Sequence, residues 1–520
     1  MRTLVINLTR FGDLLQTQPV FTGLKTSGDE TTLVCLQNFL PAASLVRDLD
    51  AVFAVPGARL LAGLDRAWPE ALGECLAWSA GVRRAFRPDR VINLTSSLPA
   101  RLLARSLGGA RALGFGMDEF GYGFYSSPWA AFLEATSRHR GSSPFNLVDL
   151  FFKAAHLDGP DRSFRLADPA ALALESARAM IEAQSPPPHA GLAGIQLGAS
   201  EEKRRWPAGH FARTASFLWK RHNLLPVLLG SPGEEHLAAE FSAGADFPHL
   251  NLTGRTSLEE LAACVSRLRL LVTNDTGTMH LAAGLGVPVL AVFLATAQPW
   301  DTGPYLPGSC CLEPDMPCHP CPFGHECPIG WACREKLGSG AAIALLDGWL
   351  STGVWPHIHG LGARAWETVR EPDGFLGLSS LSGHGLEGRA IWYAIQRKAW
   401  RRFLDALPPD FTGDEARGLP EEFRSGLHAV LSQVSSLLDV LLAQAQVLQM
   451  TPRPALRSKF MATWQRVESL LSSEKSLCGL AHLWLHLSQN ESQDISRFTE
   501  FARSVSGMVK ALSSLLAPRP

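Results

Sequence analysis

The sequence lacks any stretch of 18 uninterrupted apolar residues, which argues against a membrane-spanning helix. It also lacks a charge excess. Its 48 Lys and Arg stand against 49 Asp and Glu, a formal net charge of −1, too little for bulk attraction to a nucleic acid. Residues Met1–Leu8 form too short an apolar core for a secretory leader, and no small-residue cleavage site follows them. They are read as a first strand, and the protein as cytoplasmic. No short repeat of the solenoid type is visible. What the chain has is length: 520 residues are too many for one core, so roughly two to four domains are expected.

Strand-like and helix-like segments alternate along the first half, which implies βαβ units and parallel sheets. The expected strands are Thr3–Leu8, Thr31–Leu36, Ala51–Val55, Arg90–Leu94 and Ala110–Phe115. Pro186-Pro187-Pro188 then breaks the pattern as a hinge. Alternation resumes with Gly191–Leu197, Leu224–Leu229, Leu250–Leu252, Leu268–Thr273 and Pro288–Phe293. The expected domains are 1–185, 189–350 with a Cys-rich loop at 310–333, a Gly/Ser/His-rich linker over 351–390, and a helical domain over 391–520. In the last of these, Leu427, Val430, Leu431, Val434, Leu437, Leu438 and Leu441 follow helical spacing.

The most informative segment is Asn274-Asp275-Thr276-Gly277-Thr278-Met279-His280, set between an apolar strand and Leu281-Ala282-Ala283. A strand turning into a helix aims free N–H groups and the positive dipole end at a cleft, as a diphosphate requires. Gly277 permits close approach, Thr276 and Thr278 offer hydroxyls, and His280 adds a ring nitrogen. The plain alternative is an Asp-capped helix with a buried histidine.

Four further turns follow expected strands. In Arg10-Phe11-Gly12-Asp13 the carboxylate of Asp13 reads either as a helix N-cap or as a general base facing the cleft. Gly198-Ala199-Ser200 followed by Lys203-Arg204-Arg205-Trp206-Pro207 reads as a cation-rich turn for a leaving diphosphate, or as a solvated loop. Glu234 reads as a ribose ligand or a helix-start acid, and Ser257 with Glu260 as a capping box beside Thr256.

Together these motifs resemble glycosyltransferase family 9, the ADP-heptose:lipopolysaccharide heptosyltransferases. The resemblance spans residues 1–310 and includes Pro19, Asn93-Leu94-Thr95-Ser96-Ser97, Arg101, Gly114-Phe115 and Leu252-Thr253-Gly254. It implies an α/β GT-B fold of two Rossmann-like domains facing across a cleft, followed here by a C-terminal α-helical domain. It implies Asp13 as the base, a donor diphosphate held by Arg204 or Lys203 and by Asp275, Thr276, Gly277 and His280, and a ribose held by Glu234; Ser200, Thr256 and Thr278 join the donor candidates from their own turns. Transfer would invert the anomeric centre and need no cofactor or metal, moving a sugar, heptose by resemblance, to a lipopolysaccharide-core or other envelope glycan. Two departures stand out: Arg204 where the family has lysine, and Leu294 where it has a glycine, expected to put a side chain near the donor. A catalytically degenerate binding protein, a protein-modifying transferase and a nucleotide-sugar epimerase are the rival readings.

Of ten cysteines, Cys35, Cys75, Cys264 and Cys478 read as small core residues. Cys318, Cys321, Cys327 and Cys333 fall in a proline-rich loop and read as ligands of a structural zinc, with an iron–sulfur cluster or free thiols as alternatives. Trp392, Ile395, Trp400 and Phe403 beside Arg397, Lys398, Arg401 and Arg402 read as a helix packed on its own domain, or as a peripheral contact with the inner membrane where lipid-linked acceptors reside.

Overall fold

A computed structural model of the chain describes all residues except 109–111, 138–142, 160–161, 325, 492–493 and 519–520. Two compact units emerge: Met1–Tyr122 with Phe145–Gly383, and Gly123–Pro144 with His384–Pro520.

The first unit holds two sheets. Strands β1 (Arg2–Ile6), β2 (Glu30–Leu36), β3 (Ala51–Val55), β4 (Arg90–Asn93) and β5 (Leu113–Met117) run parallel in the order β3-β2-β1-β4-β5. Ala110 and Arg111, expected to open the fifth strand, lie outside the described residues. Thr3–Ile6 and Thr31–Cys35 are fully buried, the mark of strands covered by helices on both faces. A short strand β6 (Gly123–Tyr125) belongs to the other unit.

The second sheet contains β7 (Gly191–Gln196), β8 (Leu224–Leu229), β9 (Leu250–Asn251), β10 (Leu268–Asn274), β11 (Val289–Val292) and β12 (Cys310–Pro314). These are parallel in the order β9-β8-β7-β10-β11-β12, the doubly wound Rossmann pattern. Residues 186–189 carry neither helix nor strand, as three prolines dictate.

The expected linker over 351–390 is corrected. Strands β13 (Ala363–Arg370) and β14 (Leu376–Ser380) extend this sheet antiparallel from β12, pairing Cys311 with Trp366 and Trp366 with Ser380. Ala363, Ala365 and Trp366 bury against the core, while Gly360, Gly362 and Gly374 supply positive-φ turns around the strands. The glycine content that suggested a linker is turn chemistry.

The second unit packs helices Gly388–Leu404, Glu421–Met450, Pro454–Ser473, Cys478–Asn490 and Ile495–Leu516 with helix Pro128–Ser137. That last helix was expected in the first domain and instead leaves it. Helix Glu421–Met450 is long and apolar enough to cross a membrane by length and composition. It buries Leu427, Leu431, Val434, Leu438 and Leu441 and pairs Asp439 with Lys510 at 2.8 Å. Trp392, Ile395 and Trp400 are buried, with Trp400 4.8 Å from Phe132, so the basic helix packs on its own unit. The membrane reading of that stripe is withdrawn.

Candidate active site

Both sheets of the first unit reverse strand order, between β1 and β4 and between β7 and β10, and their carboxyl ends carry the sequence motifs. Asn274 closes β10 and organises the second sheet's end. Its Nδ2 donates to the carbonyls of Leu197 and Gly198 at 2.8 and 3.1 Å, and its Oδ1 accepts from Trp206 N–H at 2.9 Å. One buried amide therefore fixes the turn after β7, the cation-rich loop and the start of the turn after β10.

Arg204 sits in a short 3₁₀ turn, Glu202–Arg204, and is buried. It forms an ion pair with Asp275, and its Nη1 donates to Ser200 Oγ at 3.0 Å. Thr302 Oγ1 also donates to Asp275 at 3.3 Å. The motif cation and the motif carboxylate are thus one desolvated pair. Arg204 Nε is buried and without a partner. Lys203 pairs instead with Glu201 at 2.8 Å. The Lys203 ammonium, followed by the charges of Arg204 and Arg10, holds the Glu201 carboxyl below the usual range despite its partial burial.

Glu234 lies in its own capping box with Ser231. Its carboxylate accepts from Ser231 N–H at 2.7 Å and from Gln196 Nε2 at 3.2 Å, while Gln196 Oε1 accepts from Thr278 at 3.3 Å. A bridge thus runs from Glu234 to Thr278, in the first turn of the helix after β10, through the last residue of β7. Thr256 stands half-buried just ahead of the helix that Ser257 and Glu260 cap as expected, and its hydroxyl joins none of these networks.

The two sheets meet at Gly12. A methyl there would stand 2.9 Å from the His280 ring and 3.2 Å from Gly277 Cα, and one on Gly277 would stand 2.5 Å from the Phe11 ring. The helices Phe11–Leu15 and Gly277–Gly284 therefore face each other in direct contact at this point, with His280 buried between them. Asp13 is not the N-cap. The helix begins at Phe11 after Arg10, which puts the half-buried Asp13 in its first turn. Thr276, not Asp275, occupies the N-cap position of the second helix, without a side-chain cap bond.

The Leu294 expectation is corrected as well. Its side chain is fully buried in the core with Trp206, Cys333 and Leu337, so it does not reach the cleft. The sequence contains one Asp-x-Asp spacing, Asp48-Leu49-Asp50, which the structure places at the amino end of β3. There Asp50 binds Lys25 and Thr31, and Asp48 accepts from Thr22.

All four loop cysteines are free thiols, and among the described residues no three Cys, His, Asp or Glu stand in a metal-ligating arrangement. Cys321 N–H donates to the Ala295 carbonyl at 2.8 Å, folding the loop onto the turn after β11. Burial first, and neighbouring thiols second, raise the Cys321 thiol. Residues the sequence reading passed over are Gln196, Thr302 and the role of Asn274 as a tie. Only their place at strand ends or turns marks them.

Residues 83–330 match the family model described as glycosyltransferase family 9 (heptosyltransferase). Lipopolysaccharide heptosyltransferase 1 of Pseudomonas aeruginosa is 32% identical over 124 residues, 24% of this chain and 34% of that protein. Lipopolysaccharide heptosyltransferase 2 of Salmonella typhimurium is 33% identical over 104 residues, 19% and 29% of the two chains. The chain spans about a third of the length of the curated relatives it matches. Among solved structures, a family 9 glycosyl transferase from Veillonella parvula superposes with TM-score 0.48 at 20% identity, covering 58% of this chain and 83% of that one.

Proposed function

From a chain whose residues 83–330 belong to glycosyltransferase family 9, we propose an inverting sugar transfer from a nucleotide diphosphate, with ADP-heptose as donor. The observation that supports this most is the contact of Phe11–Gly12 with Gly277 and His280, which brings the first turn bearing Asp13 to the start of the second helix. The donor diphosphate rests on the N–H groups opening at Gly277, beside the Arg204–Asp275 pair, with its ribose at Glu234. Asp13 accepts the proton of an acceptor hydroxyl as that oxygen attacks the anomeric carbon. The bond to the diphosphate breaks on the opposite face, and ADP leaves with the electron pair.

No step in this scheme requires a metal. The acceptor is a lipopolysaccharide-core or other cell-envelope sugar, presented to a cytoplasmic protein at the inner membrane. A zinc at Cys318, Cys321, Cys327 and Cys333 would be structural. Metal analysis of purified protein reads this directly.

The test is transfer from ADP-heptose, with Asp13→Ala beside wild type. Turnover should fall by about 10²- to 10⁴-fold, the usual weight of a general base, while ADP affinity by calorimetry stays within about twofold. Unchanged turnover removes Asp13 from the base role, and no heat with ADP removes the reading altogether.

A further inference from the structure

We propose that the helical segment Gly57–Phe86 is a membrane-docking hairpin, which sets the first sheet's carboxyl end against a lipid surface. The segment is two helices joined at Ala67, whose φ of −153° and ψ of 71° are not helical, with Pro69 just beyond. The arms fold back on each other. A methyl on Gly63 would stand 3.1 Å from Ala71 Cβ, and Arg59 pairs with Glu74 at 3.2 Å.

Large apolar side chains line the outside of this hairpin. Leu61 is 65% exposed, Leu64 50%, Trp68 62%, Leu72 48% and Leu76 55%, with Trp68 beside the bend. Further down the returning arm, Val82 and Phe86 bury into the sheet's core, so that arm's large apolar side chains are covered at the base and bare toward the tip. From Trp68 to Phe86 that arm runs about 28 Å at helical rise, against about 17 Å for a five-residue strand. It ends where β4 begins, at the amino ends of the strands. The tip therefore stands clear of their carboxyl ends, the side on which Asp13 lies.

The area argues for lipid over a second copy. Five side chains at these exposures offer roughly 500 Å² of apolar surface, short of the about 800 Å² per partner that a stable protein interface uses. A tryptophan beside leucines on a narrow tip suits burial at the boundary of headgroup and acyl chain. The inference rests on the transfer reading only for what the surface carries, namely a lipid-linked acceptor.

The test is co-sedimentation of the full chain with phosphatidylethanolamine/phosphatidylglycerol vesicles, in low and high salt. Wild type should bind in both, because apolar insertion is not screened. Trp68→Glu with Leu72→Glu should weaken binding at least tenfold, and Trp68→Ser should weaken it measurably if the double variant misfolds. No vesicle binding by wild type, equal binding by the variants, or a dimer that the same substitutions dissolve would each overturn the proposal. Neither donor nor turnover enters this readout, so ADP titration on the same samples reports separately on sugar transfer.

Discussion

The carboxylate of Glu234 occupies the space that any side chain on residue 198 would need: a methyl on Gly198 would stand 1.4 Å from Glu234 Oε1. Only glycine lets the Glu234 carboxylate tuck under the turn after β7 and reach Gln196 at 3.2 Å.

Gly198→Ala should therefore displace Glu234 and weaken ADP binding by roughly tenfold or more, about one lost charge-assisted hydrogen bond. Gly73→Ala, where nothing lies within 4 Å, is the control and should leave ADP binding unchanged. Calorimetric titration of both variants checks this.

The Arg204–Asp275 pair is desolvated on both sides, with side chains 9% and 7% exposed. Asp275→Ala should strand the guanidinium and cost about 3–5 kcal/mol, read as a lower midpoint in denaturant. Arg204→Lys should keep the charge but lose the contact to Ser200, weakening donor binding more than stability.

Leu294→Gly, which restores the family's usual residue, should not open a larger donor site. It removes a fully buried side chain from the second sheet's core and should cost about 2–5 kcal/mol. A rise in turnover without loss of stability would contradict the packing.

His210 carries a pH signature. Burial first, then the Arg213 guanidinium, pushes its ring below the usual histidine range, and the exposed Glu335 at 3.4 Å is too solvated to reverse this. The neutral ring takes the Ser339 N–H at 3.3 Å. With the folded value below the unfolded one, the unfolded chain binds the proton first. The stability contribution is therefore complete above about pH 6.5 and drains as pH falls through it. His210→Gln should flatten that part of a stability–pH curve measured by urea unfolding.

Most of the first unit was legible because parallel strands buried on both faces leave apolar runs between turn residues. Ala51–Val55 and Leu224–Leu229 appear with the expected bounds, and the others shift by a residue or a few. The strand-to-helix turn at residues 274–277 and the Ser257–Glu260 capping box were equally plain, since each is local chemistry at fixed spacing. Strands β13 and β14 were not, because an antiparallel edge with glycine-rich turns resembles a linker until β12 supplies its partner.

The sequence by itself determined that two doubly wound sheets would place Asp13 and residues 275–280 at strand ends, because periodicity and turn chemistry act over a few residues. Tertiary structure alone decided that Arg204 is already matched by Asp275, that Leu294 faces the core and that Trp392 and Trp400 are covered while Trp68 is bare. Pairing and exposure depend on which distant segments arrive to share the space, and no local pattern records their arrival.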